Sequence, residues 1–101
     1  MKVRILSLAL EELAVAAGYY QGKEHGLGKR FLDEYESAVG RITRHPDIWK
    51  RTGKHHRRCR LEHFPYAVLY AVRQGEIIIS GVFSMEENPA RGEARKKRGL
   101  S

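Results

Sequence analysis

The chain has 101 residues, 42% of them hydrophobic and 31% charged, which is material for one modest core and argues against wholesale disorder. A lone cysteine, Cys59, excludes an internal disulfide. The N-terminus has no apolar run long enough for a signal peptide or a spanning helix, so a cytoplasmic protein with no membrane attachment is expected. The net charge of +7 is concentrated in residues 41–60, where Arg41, Arg44, Lys50, Arg51, Lys54, Arg57, Arg58 and Arg60 face Asp47 alone. A field of that kind attracts polyanions or acidic protein segments.

In chain order, Lys2 to Leu6 (KVRIL) alternates Val3 and Ile5 with basic residues, as a short half-buried strand does. Ser7 is placed to cap a helix, along which Ala9, Leu13, Ala16 and Tyr20 form an apolar stripe. The segment GKEHGLG breaks that helix with glycines. A second helix follows, with Leu27, Phe31, Tyr35, Ala38 and Ile42 on one face and Lys29, Arg30, Asp33, Glu34 and Arg41 largely outward. Facing stripes of this sort make a helical hairpin, and Pro46 ends it.

Residues 46–56, PDIWKRTGKHH, show no periodicity and read as a loop. From Arg57 the period becomes two. RRCRLEH, YAVLYAV and EIIISGVF read as three strands, joined by tight connections at Phe64-Pro65 and at Arg73 to Gly75. Apolar content then falls and charge turns basic, so residues 1–85 are expected to form the domain and 86–101 a poorly packed basic tail. The expected fold is α+β, in the order β-α-α-β-β-β: an antiparallel sheet of about four strands with the helical hairpin packed on one face. Cys59 and Leu61 share one side of their strand, while Arg58, Arg60 and Glu62 share the other. The apolar side should meet the helices, leaving the arginines on an at least partly open face.

These pieces in this order resemble the RelE/ParE superfamily of type II toxin–antitoxin toxins, also described as plasmid stabilisation proteins. The likeness is carried by Ala9, Leu13, Ala16 and Tyr19-Tyr20, by GLGKRFLDEYESAVGRITRHP, by RRCRLEHFPYAVLYAV and by the isoleucine-rich last strand. It covers about residues 2–84. The resemblance implies a small basic toxin held inactive by a cognate acidic or amphipathic antitoxin, in a toxin–antitoxin hetero-oligomer. Some members cut messenger RNA on the ribosome, and others inhibit DNA gyrase without being nucleases. Members often end the last strand with a histidine, then an arginine, a proline and a tryptophan. Counted from Pro89, those slots hold Ser84, Glu87 and Gly92 here, so that constellation is missing.

Metal-free RNA cleavage needs a base, an acid and cations on the crowded phosphate. The candidates for such catalysis are Arg58, Arg60, Tyr66 and His63. Arginine suits a phosphate through its permanent charge and forked donors, and histidine shuttles protons near neutrality. The plainer reading has Arg58 and Arg60 pairing with a partner or with Glu62, and Tyr66 as a hairpin residue. Lys50, Arg51, Lys54, Arg57, Arg58 and Arg60 form the candidate surface for a partner or nucleic acid. His55, His56, Cys59 and His63 match no closed zinc pattern and would fall on two strand faces, so no metal is expected, and no cofactor either. Cys59 reads as a buried small hydrophobe and Trp49 as packing the loop against the second helix. The expected function is a ParE-like growth inhibitor. The alternatives are a RelE-like ribosome-dependent endoribonuclease and a degenerate domain that binds its antitoxin without toxicity.

Overall fold

The computed structural model describes residues 1–86. β1 (Lys2–Ile5) leads into α1 (Ser7–Lys23), and a three-residue connection turns the chain into α2 (Leu27–Arg44). The sheet is completed by β2 (Lys50–Arg51), β3 (Arg57–Arg60), β4 (Tyr66–Arg73) and β5 (Glu76–Ser84). Among the described residues, no helix is long and apolar enough to cross a membrane.

The helical stripes lie where periodicity puts them. Ala9, Leu13 and Ala16 of α1 and Phe31, Ala38 and Ile42 of α2 are buried against Cys59, Val68, Ile77 and Ile79 of the sheet and Leu61 just past β3, with Tyr20 and Tyr35 packed at the edge of this core. Close approach of the helices depends on Gly28, where an added Cβ would stand 2.7 Å from the Ala17 carbonyl oxygen. The turn between the helices is tied by the Gln21 side chain, whose Oε1 accepts the amides of Gly26 and Gly28 at 3.1 and 3.2 Å. Gly26 itself has a φ of 88°, a conformation that side-chain-bearing residues adopt only with strain. Ser7 does not cap α1: it is the first helical residue, and Leu6 occupies the cap position with no side-chain bond. The reason is that Leu6 is still tethered to the sheet, its amide bonding the Ile79 carbonyl at 2.9 Å.

The sheet has five strands in the order β1-β5-β4-β3-β2 and is mixed, where the periodicity suggested about four antiparallel strands. β1 pairs with β5 in parallel, from Lys2↔Glu76 to Ile5↔Ile79. Alternation of side chains assigns a strand's faces but carries no information on its direction or neighbour, so this pairing had no local signal. The extra strand is β2, two residues inside the expected loop that pair with Arg58 and Arg57. β4 and β5 are joined by Gln74-Gly75, both at positive φ (52° and 74°), the turn that matches strand twist in a two-residue hairpin. A bulge between Leu69 and Tyr70 shifts their register, so that Leu69 faces Gly81 and Tyr70 faces Ile79.

The face turned away from the helices is not simply open. Ala67, Leu69, Phe83 and Met85 form a second, smaller buried cluster there. The proposed packing of the basic tail falls, from residue 87 onwards, outside the described residues.

Candidate functional site

β3 divides the basic region. Strand pairing aligns Lys50 with Arg58 and Leu69, and Arg60 with Ala67 and Phe83, so Lys50, Arg58 and Arg60 stand on the face away from the helices. Arg58 is half-buried and Arg60 exposed there. Arg57 and Arg51 pair with each other and, by alternation, belong to the opposite face. Arg57 donates to the Trp49 carbonyl at 2.9 Å, and Arg51 donates to the Lys54 carbonyl at 3.0 Å. The expected role of Trp49 as a packing residue holds: it joins the core edge, with the α2 residue Arg41 stacked 5.7 Å from its ring. Arg41 is accordingly turned inward, and also donates to the Arg60 carbonyl at 3.2 Å.

Tyr66 lies on the other face from Arg58 and Arg60. Its backbone pairs across to Ser84, and its ring meets Phe31 at 5.1 Å and Tyr20 at 6.0 Å, edge to face. Beside it runs a cleft of about 250 Å³ lined by Val15, Ala16, Tyr19, Tyr20, Pro65, Tyr66, Ser84 and Glu86. Three tyrosines and a serine supply hydroxyls, but among the described residues the one charged lining residue is a carboxylate. Burial, together with the neighbouring tyrosines and Glu86, raises the Tyr20 phenol above its ordinary pKa, so it is a poor proton acceptor near neutrality.

His63 is committed elsewhere. Its backbone amide donates to Glu34 Oε1 at 2.8 Å and its ring Nδ1 lies 2.5 Å from Glu34 Oε2, clamping the β3–β4 connection onto α2. Helix periodicity alone turns Glu34 outward, and no sequence signal announces this pairing across 29 residues. Burial of Glu34 acts to raise its pKa, but the bonds from His63 and from the Glu62 backbone outweigh it and hold the carboxyl below its usual range. Cys59 is fully buried as expected, and burial pushes its thiol up, away from reactivity. The four candidates Arg58, Arg60, Tyr66 and His63 therefore do not converge on one point: two cations are on one face of the sheet, a tyrosine on the other, and the histidine at the rim holds a carboxylate.

The family model described as the ParE toxin of the type II toxin–antitoxin system, parDE, matches residues 3–98. The chain belongs to the ParE toxin family. This membership agrees with the superfamily resemblance read from the motifs, and the match extends into the basic tail. Among solved structures, a chain described as "Chromosomal ParDE TA system from P. aeruginosa" superposes with a TM-score of 0.61 at 17% identity, covering 83% of this chain and 95% of that one. At that identity the likeness speaks for the ParE-type α+β fold. No curated protein matches the sequence.

In this ParE family member, Ser84 ends β5 half-buried beside Tyr66 and lines the tyrosine cleft. It occupies the slot where the resemblance would place a histidine. Glu87 and Gly92, the other two departures, lie outside the described residues.

Proposed function

We propose that this ParE family toxin acts as a growth inhibitor of the gyrase-directed kind, without cutting RNA, and is neutralised by a cognate antitoxin. The observation that carries the reading is the separation of Arg58 and Arg60 from Tyr66 and Ser84 by the thickness of the sheet. Cleavage through a 2′-hydroxyl needs proton-transfer groups and phosphate-binding cations around one phosphorus. Among the described residues, the cleft with the hydroxyls contributes a carboxylate, and Arg58 and Arg60 look the other way.

The partner in this reading is an acidic, amphipathic antitoxin segment that wraps the domain in a hetero-oligomer. Its carboxylates lie over Lys50, Arg58 and Arg60 and along the rim at Arg57. Its apolar side chains have a counterpart in α1, where Leu8, Val15 and Tyr19 share one helix face and are each more than half exposed. Large apolar side chains exposed together on one helix face suit such an interaction surface.

The deciding experiment uses purified, antitoxin-free protein in two assays: cleavage of a ribosome-loaded message, and supercoiling by gyrase. Inhibited supercoiling with an intact message is the expected result. Codon-positioned cutting that disappears in Arg58→Ala would instead establish the ribosome-dependent nuclease. No effect in either assay, together with unaffected growth on induction, would mark a degenerate domain.

A further inference from the structure

A second recess lies at the opposite end of the sheet from the tyrosine cleft, and its chemistry is different. β3 accompanies β4 only as far as the pair Arg57↔Tyr70, yet β4 continues to Arg73. The loop between β2 and β3 folds over the gap, held by the Thr52 amide bonding the His56 carbonyl at 3.0 Å. What results is a cleft of about 200 Å³ lined by Arg51, Lys54, His55, His56 and Arg57 over Tyr70, Ala71 and Val72.

Among the described residues, every ionisable group on the loop side of this cleft is a cation or an imidazole, and no carboxylate lines it. Two of the cations are already oriented: the bonds from Arg57 to Trp49 and from Arg51 to Lys54 each use one guanidinium nitrogen and fix the plane of the rest. A fork held in place loses less freedom on binding than a free side chain. The floor adds a backbone donor. The Tyr66 carbonyl bonds towards the β3 side, so alternation turns the Val72 amide to that same side, beyond the last paired residue of β3. The volume is below that of ordinary small-molecule pockets and suits one tetrahedral anion with its waters.

We infer that this cleft is a phosphate-binding site, in which Arg51, Lys54 and Arg57 hold a single phosphoryl group against the Val72 amide. It is separate from the Lys50, Arg58 and Arg60 face and does not depend on whether the chain is toxic. The phosphoryl group can belong to free phosphate or to a nucleic-acid backbone, and the chemistry recognised is the same.

The test is a titration of the isotope-labelled full chain with inorganic phosphate, followed by amide resonances, against sodium chloride at matched ionic strength. Saturable shifts centred on Val72, Lys54 and His55 are expected, with affinity at least tenfold weaker in Arg51→Ala and Lys54→Ala and unchanged in Arg58→Ala. A short oligonucleotide then separates the sources. Binding at the same residues at least tenfold tighter than phosphate assigns the site to a nucleic-acid backbone, and no gain assigns it to the free anion. Shifts reproduced by chloride, or phosphate binding indifferent to Arg51→Ala and Lys54→Ala, would overturn the assignment.

Discussion

Phe31 has no solvent exposure and meets three other rings: Tyr20 stacked at 5.4 Å, and Phe64 and Tyr66 edge to face at 5.1 Å each. Deleting it removes the centre of that cluster as well as its own burial. Phe31→Ala should cost about 3–5 kcal/mol, a large share of a small domain's stability. Denaturant unfolding checks this, and an unchanged midpoint would mean that the cluster tolerates the cavity. Tyr70 offers a different readout. Its hydroxyl donates to the Pro46 carbonyl at 2.6 Å, and burial raises its pKa to about 12, partly offset by Arg57. A raised folded pKa means the proton is held more tightly in the native state, so this contribution is complete below the ordinary tyrosine range. It is lost as pH climbs from there through about 12. Tyr70→Phe should remove the most alkaline phenol step from the ultraviolet titration and cost about 0.5–1.5 kcal/mol near neutrality.

At the level of elements, the contact between α1 and α2 turns on Gly28 and the contact between α2 and the β3–β4 connection on Glu34. Gly28→Ala drives a Cβ into the Ala17 carbonyl, a backbone atom that moves only with its helix. A loss of about 1–3 kcal/mol is expected, and a Gly18→Ala control, with open space at that position, should show none of this clash. The Glu34 clamp is pH-dependent with a definite sign. Its carboxyl is depressed in the folded state, so its stabilisation is present above the unfolded glutamate range and disappears as pH falls through the lower, folded value. Glu34→Gln should lower the melting temperature at pH 7 and flatten its dependence on acid, the two proteins converging at low pH. Parallel curves would show that other carboxylates govern acid unfolding. Helix periodicity had turned Glu34 and Arg41 outwards, because a side chain at the edge of an apolar stripe can swing either way. The choice was made by His63 and by the carbonyl of Arg60, both distant in sequence.

For the molecule as a whole, the arrangement of charge separates binding from stability. Arg58 and Arg60 have no acidic partner among the described ion pairs, and both stand away from the main core. Arg58→Glu with Arg60→Glu should therefore leave the melting temperature nearly unchanged. The antitoxin complex should weaken at least a hundredfold, since desolvated charge-assisted contacts contribute about 1.5–3 kcal/mol each and the replacements also repel. Calorimetric titration of the antitoxin segment measures it, and wild-type affinity would move the docking surface off this face.

The sequence by itself determined the types of the elements other than β2, the apolar stripes of both helices, the burial of Cys59 and the density of positive charge around residues 41–60. Each of these follows from local periodicity or composition, which a folded chain cannot rearrange without exposing its core. The side of the sheet taken by Arg58 and Arg60 was also legible, because alternation along a strand is local. Tertiary structure alone decided the parallel pairing of β1 with β5, the two-residue strand β2 and the commitment of His63 to Glu34. It also decided the separation of Tyr66 from the arginines, which are near it in sequence. These depend on which segments meet across long stretches of chain. Hydrogen bonding at a sheet edge is much the same for every backbone, so the choice of neighbour is left to the packing of the whole.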